Sequence, residues 1–148
     1  MKEPPVIVRM SEGHLGGVLE IERASFGMPW SREGFSKVLA NPSALAYVAE
    51  VGGRVAGYVC ALLLGWEAEM LKLAVRPELR GRGIAKALNA RCLAELREKG
   101  ARVVYLEVRL SNREAIGLYE GFGFRRAGLR REYYSSPPED ALVMRLEL

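Results

Sequence analysis

The fourteen residues VRPELRGRGIAKAL, Val75 to Leu88, decide how this chain of 148 residues folds. They follow an apolar run (Met70, Leu71, Leu73, Ala74, Val75) and lead into helical spacing, so they read as strand, turn and helix. The turn is Arg80-Gly81-Arg82-Gly83-Ile84-Ala85-Lys86. Its two glycines permit backbone angles that a Cβ forbids and let a ligand come close to the main chain. A helix starting there presents unpaired N–H groups and the positive end of its dipole, and the flanking arginines add full charge. The chemistry called for is a polyanion, most simply a pyrophosphate. Two other phosphate motifs are excluded: no Gly-Lys-Ser/Thr follows the glycines, and Lys86 stands where the dinucleotide fingerprint needs its third glycine.

Working outward, the length suits one domain, residues 1–148, with a real core. A hydrophobic content of 49% and a charged content of 27% are ordinary for a globular protein. No run approaches the roughly 20 apolar residues of a membrane span, and MKEPPVIVRM lacks the apolar core of a signal peptide. Cys60 and Cys92 are isolated thiols in apolar surroundings with only His14 as a possible partner, so the expectation is reduced, inert cysteines, no metal and a cytoplasmic protein. Arg76 to Arg102 holds eight Lys/Arg against three Glu, a surplus that suits an anionic ligand or simply a solvated helix face. Without interleaved aromatics or a recognised binding motif, direct nucleic-acid binding is not expected.

The remaining segments are punctuated clearly. Val6 to Met10 reads as a strand, and Ser11 as the cap of a helix carrying Leu15, Val18, Leu19 and Ile21. Phe26-Gly27-Met28-Pro29-Trp30 breaks that helix; Ser31 caps a second, which Asn41-Pro42 stops. Ala44 to Val51 and Arg54 to Leu64 form a hairpin about Gly52-Gly53. Glu67 to Val75 is the next strand, and the helix from Gly83 to Glu98 carries the stripe Ile84, Leu88, Cys92, Leu96. Val103 to Val108 reads as a strand covered on both faces. Ser111-Asn112-Arg113-Glu114 opens another helix with a Ser-x-x-Glu capping box. Strands near Arg125 to Tyr133 and Ala141 to Leu148 follow, with Ser135-Ser136-Pro137-Pro138 in the loop between. The order implies an α/β protein with one mixed sheet and helices on both faces.

Within this frame Glu107 stands out, because a carboxylate in the apolar strand VVYLEV is not there for packing. Burying a carboxyl group favours its protonated form, which suits a general base near neutral pH. Amine acylation needs such a base, since only the neutral amine attacks a thioester. Equally, Glu107 at a strand end pairs with Arg109 as a structural ion pair, and the residues alone leave both open. Tyr119, on the helix after the capping box, is a candidate proton donor to a departing thiolate, or an ordinary half-buried tyrosine. Asn112 and Ser111 are explained equally by helix capping. Glu67 and Glu69 share a strand face and offer a rival base, a substrate-orienting pair or a plain solvated edge. Trp30, Tyr133 and Tyr134, with Glu139 and Asp140, suit a peptide bearing a positive amino terminus, or the tyrosines simply anchor the last loop. Neither cysteine sits where a nucleophile is activated, which argues against an acyl-enzyme.

The pattern Arg80-x-x-Gly83-x-Ala85 resembles the pyrophosphate signature of the Gcn5-related N-acetyltransferases (GNAT), and the likeness extends from about Val6 to Glu147. Within that superfamily the chain is most similar to the RimI group of ribosomal-protein-alanine N-acetyltransferases. The segments that carry this are PWSREGF (Pro29 to Phe35), LAVRPELRGRGIAKAL (Leu73 to Leu88), YLEVRLSNREAIGLYEGFGF (Tyr105 to Phe124) and RREYYSSPPEDALVM (Arg130 to Met144). Archaeal amino-terminal acetyltransferases carry a similar LEVR-x-SN segment. The resemblance implies a mostly antiparallel sheet with a central splay, acetyl-coenzyme A as co-substrate, Glu107 as general base and Tyr119 as general acid. It implies further that Arg80, Gly81, Arg82, Gly83, Ile84, Ala85 and Lys86 hold the diphosphate. Leu73 and Val75 give main-chain contacts to the pantetheine arm, and Asn112 gives a side-chain contact. The substrate implied is a protein amino terminus, ribosomal and alanine-initiated, with a lysine side chain, a small amine or a non-catalytic acyl-coenzyme A module as alternatives. Lys72 departs from the family pattern, where a small polar residue such as asparagine is expected.

Overall fold

The computed structural model describes residues 4–148, so the first three residues of the amino-terminal stretch lie outside it. Eleven helices and strands follow in order: β1 (Val6–Arg9), α1 (Leu15–Ser25), α2 (Arg32–Ala40), β2 (Ala44–Val51), β3 (Arg54–Leu64), β4 (Glu67–Val75), α3 (Ile84–Glu98), β5 (Val103–Arg109), α4 (Arg113–Gly121), β6 (Arg125–Ser135) and β7 (Pro138–Glu147). The strands make one sheet in the order β1-β2-β3-β4-β5-β7-β6. Only β4 and β5 pair in parallel, as their connection through α3 requires.

Alternation along the strands sorts the core into two layers. Leu45, Tyr47 and Ala49 of β2 face α3, packing with its stripe of Ile84, Leu88, Cys92 and Leu96, and with Ile116 and Tyr119 of α4. Ala46 and Val48 face the other way, onto Leu15, Val18, Leu19 and Ile21 of α1 and Phe35 of α2. The Gly52-Gly53 turn has φ of 60° and 76°, the conformation for which its glycines were expected.

The sheet does not stay closed. Parallel pairing of β4 with β5 ends at Met70↔Leu106, after which β4 continues along β3 while β5 continues along β7. A bulge accompanies the parting: Ala61 pairs with Met70 and Cys60 with Lys72, leaving Leu71 as the extra residue. The bulge reverses the facing of β4, so Ala68 and Met70 before it and Leu73 and Val75 after it all pack on the α3 side.

Three expectations change. β5 is fully covered on one face only beyond its first residue: Val104, Leu106 and Val108 are buried in the α3/α4 layer, whereas on the other face Val103 is buried but Tyr105, Glu107 and Arg109 are half-buried. The reason is that no β5 residue belongs to the α1/α2 layer, which stops at β4. The cap of α4 is Asn112, whose Oδ1 accepts from Ala115 N at 3.1 Å, one residue later than the Ser111 box. The last connection is only Ser136-Pro137, because both strands extend to meet it; Tyr134, Ser135, Pro138, Glu139 and Asp140 lie in the strands.

Leu88 has no exposed surface and joins α3 to the sheet. Leu88→Ala is expected to cost about 2–5 kcal/mol, read as a lower urea midpoint at unchanged slope.

Candidate active site

Where β4 and β5 part, a cavity of about 350 Å³ opens between the strands, lined by residues from both faces of the sheet. Glu69, Lys72 and Leu73 of β4 form one wall, and Glu107 and Arg109 of β5 the other. Asn112 and Tyr119 of α4 close one end, Phe26 and Trp30 of the α1–α2 connection another, and Tyr133 and Tyr134 of β6 the last. The two tyrosines are aimed there by a second bulge: Arg130 pairs with Ala141 and Tyr134 with Glu139, so three residues of β6 face Asp140 alone. Glu132 in that bulge has φ 51°, and its N–H donates to Asp140 Oδ1 at 2.9 Å, which offsets the strain of a left-handed non-glycine residue.

The structure resolves what surrounds Glu107. Its side chain is 14% exposed, and its nearest cation is Arg130, Nε to Oε2 3.7 Å. Arg109 is committed elsewhere: it donates to Ser136 O at 2.9 Å, Pro137 O at 2.8 Å and Glu139 Oε1 at 3.3 Å, and lies over the Tyr134 ring at 4.3 Å. The Glu107–Arg109 ion pair considered from sequence is therefore absent. Glu69 faces the same cavity, and burial raises its carboxyl above the usual range, with the charge of Glu107 adding and Arg130 opposing. Glu67, at the exposed start of β4, does not line the cavity.

Tyr119 is buried, and burial above all pushes its hydroxyl well above the ordinary phenol range, so it enters any reaction protonated. Its ring packs edge-on against Phe124 at 5.4 Å. Burial likewise raises the Tyr133 hydroxyl, and it pushes Tyr134 up to about 12. The two tyrosine rings meet edge to face, 5.1 Å between centroids.

Other expected ligand residues form a second group. Gly81 and Gly83 have φ of 78° and 81°, and Gly83 is the N-cap of α3. Arg80 turns back: its Nε donates to Val75 O at 3.1 Å and its guanidinium reaches Ser25 Oγ at 3.4 Å, fixing the turn to the ends of β4 and α1. Arg82 and Lys86 are exposed, Ile84 is buried and Ala85 half-buried. Val75 and the turn thus stand beyond the cavity, at the end of β4, while Leu73, Asn112 and Tyr119 line it.

Residues 15–124 match the model of the acetyltransferase (GNAT) family. The chain belongs to this family. The N-alpha-acetyltransferase RimI of Mycobacterium tuberculosis is 37% identical over 149 residues, covering 97% of this chain and 92% of that one. The ribosomal protein bS18-alanine N-acetyltransferase of Escherichia coli is 32% identical over 136 residues, 90% and 91% of the two chains. The crystal structure of the ribosomal-protein-S18-alanine N-acetyltransferase from Escherichia coli superposes with a TM-score of 0.89 at 31% identity, covering 97% of this chain and 94% of that one. The fold, with its splayed sheet, is the GNAT fold, and the chain is an N-acetyltransferase.

Sequence inspection of this GNAT enzyme passes over Glu22. It has no exposed surface. Its Oε1 accepts from the Tyr58 hydroxyl, and its Oε2 accepts from Trp30 N and Lys72 Nζ, both at 2.8 Å. The signal was available: Leu15, Val18, Leu19 and Glu22 follow the i, i+3, i+4, i+7 stripe, so a carboxylate stands where helical spacing requires an apolar residue. A second contact joins the two lips of the cavity. Gly27 approaches the Ser136 carbonyl so closely that a Cβ would collide with it, and Ser135 Oγ donates to Met28 Sδ at 2.9 Å.

That approach gives a prediction. Gly27→Ala is expected to separate the α1–α2 connection from the β6–β7 hairpin and raise the acceptor KM several-fold, with little change in coenzyme A affinity by calorimetry. An unchanged acceptor KM would show that the two lips act independently.

Proposed function

We propose that this enzyme transfers the acetyl group of acetyl-coenzyme A to the amino-terminal amine of a protein, alanine-initiated and ribosomal as for the Escherichia coli relative named above. The observation that carries this is the placing of Glu107 and Tyr119 on one cavity at the mouth of the splay. Beyond Met70 the edge of β4 has no β5 partner, so the main chain around Leu73 is available to an extended pantetheine arm. The exposed turn Arg80–Lys86 leads into α3, whose first N–H groups have no intrahelical acceptor and suit the diphosphate. Val75 O is already engaged by Arg80, so Val75 contributes through its amide. Trp30, Glu69, Tyr133 and Tyr134 surround the space left for the acceptor.

In this reading the ammonium terminus loses a proton to Glu107, directly or through water, and the neutral nitrogen attacks the thioester carbon. The C–N bond forms, the C–S bond breaks and Tyr119 protonates the departing thiolate; the proton that the nitrogen sheds as it becomes an amide returns Tyr119 to its neutral form. The two thiols take no part: burial raises Cys60 far above the usual range and Cys92 to about 12, so neither is a nucleophile at neutral pH, and both suit a reducing cytoplasm. Among the described residues no group of side chains is arranged to hold a metal ion. Among the described residues no helix is long and apolar enough to cross a membrane.

The test is transfer from acetyl-coenzyme A to an alanine-initiated peptide, beside an amino-terminally blocked peptide containing lysine. Transfer to the free terminus alone is expected, with Glu107→Gln and Tyr119→Phe each losing roughly 10²–10⁴-fold in kcat. Transfer to the blocked peptide would assign lysine chemistry instead, and coenzyme A binding without transfer would assign a binding module.

Glu69 supplies a pH test. Because the negative charge of Glu107 is one cause of its raised carboxyl, Glu107→Gln moves the Glu69 titration to lower pH in a carboxyl NMR experiment. Glu69→Gln retains most of kcat if Glu107 is the base. A loss equal to that of Glu107→Gln would transfer the role to Glu69.

A further inference from the structure

Two carboxylates line the cavity, Glu69 and Glu107. Two cations beside them are already committed: Lys72 to Glu22 at 2.8 Å, and Arg109 to the carbonyls of Ser136 and Pro137 and to Glu139. Arg130 faces the pair instead. Glu107 on β5 stands opposite Val143 on β7, and Val143 opposite Gly128 on β6. Gly128 has no side chain, and a Cβ there would meet open space. The next residue on that face, Arg130, therefore reaches across β7 to Glu107, Nε to Oε2 3.7 Å. That is an ion pair without a hydrogen bond. The arginine side chain is 59% exposed, and its guanidinium lies 5.6 Å from the Tyr133 ring centroid. Its charge reaches Glu69 as well: burial and then Glu107 raise that carboxyl, and Arg130 opposes them.

We propose that Arg130 is a positioning residue: it is the resting counter-ion of Glu107, gives up that place to the acceptor's ammonium, and weakens the ammonium's hold so that the neutral amine forms. The inference rests on the amino-terminal acetyltransferase reading above, with Glu107 as base. An α-amino group titrates at about 7.7–8.0, so at neutral pH it arrives mostly as the ammonium. Beside two carboxylates and no opposing cation it would bind well in the form that cannot attack. Binding the ground state in that way lowers KM and kcat together. Arg130 opposes this with a like charge at the same carboxylate, and its exposure lets it turn into water when the ammonium arrives. The other groups on the cavity do not take its place. Lys72 and Arg109 are held elsewhere, Glu69 favours the ammonium, and burial keeps the hydroxyls of Tyr119, Tyr133 and Tyr134 protonated.

The experiment measures kcat and acceptor KM separately for an alanine-initiated peptide, at about pH 7 and about pH 9, on either side of the amine's own titration. Wild type, Arg130→Gln and Arg130→Lys are compared. At the lower pH Arg130→Gln is expected to lower KM and kcat, each about threefold, the size of one partly exposed charge pair. Their ratio then changes less than either. At the higher pH, where the amine arrives mostly neutral, the variant matches wild type, and Arg130→Lys matches it throughout. A carboxyl NMR titration of the free enzyme gives a readout independent of transfer: in Arg130→Gln the Glu69 titration moves to higher pH, because the charge opposing its rise is gone. A raised acceptor KM in Arg130→Gln would make the arginine a mere support of the acceptor site and overturn the proposal. So would unchanged constants at the lower pH, a defect that persists at the higher one, or an unmoved Glu69 titration. Failure of wild type to acetylate any free amino terminus would instead refute the reading beneath it, while the Glu69 titration still judges the contact.

Discussion

The parting of β4 from β5 is the constraint on which the rest of the molecule depends. A β-sheet satisfies its main-chain groups by pairing, and here pairing stops at Met70 and Leu106 although both strands continue. Each keeps one partner, β3 or β7, so the sheet retains its stability on either side of the gap. What opens between them is an unpaired edge with one carboxylate, Glu107, just past the parting, and a second, Glu69, just before it, both lining the cavity. Helix α4 then brings Tyr119 to the same place from the opposite layer. The proposed base, the proposed acid and an edge able to hold an extended ligand follow from one interruption of hydrogen bonding.

A second network stabilises the acceptor side of that gap. An uncompensated carboxylate inside a protein costs several kcal/mol, so Glu22 is tolerable only because it is fully partnered. Its partners come from three separate segments: Tyr58 on β3, Lys72 on β4, and the main chain of Trp30 in the α1–α2 connection. Satisfying one charge therefore fixes the connection that forms a lip of the cavity. The opposite lip is fixed by Arg109, which gathers the carbonyls of Ser136 and Pro137 and pairs with Glu139. Hydrogen bonds from Ser111 and Arg109 hold the Glu139 carboxyl below its usual range, so it is ionised where the enzyme works.

Much of this was legible before any coordinates. The Gly52-Gly53 hairpin, the strand-turn-helix at Val75 to Leu88 and the α3 stripe are written in local chemistry, where one or two residue types decide the backbone. Glu107 is marked by being the wrong residue type for packing, and Tyr119 by its place in a family-like segment. The bulges at Leu71 and at Arg131–Tyr133 were not legible, because an extra residue in a strand leaves no mark until its partner's register is known. For the same reason β5 read as covered on both faces: apolar content cannot show that a helical layer stops one strand short. Lys72 was noticed as a departure, but its meaning lies in Glu22, fifty residues earlier, and that long-range pairing is a property of the fold.

The most direct test of this account is a crystal structure with a conjugate of coenzyme A joined to an alanine-initiated peptide. The account predicts the pantetheine arm against the free edge of β4 at Leu73, the diphosphate on the Arg80–Lys86 turn, and the joined amine between Glu107 and Tyr119. The peptide would run between Trp30 and Tyr133. A conjugate bound elsewhere, or β4 and β5 zipped together past Met70 and Leu106 with the cavity closed, would contradict it.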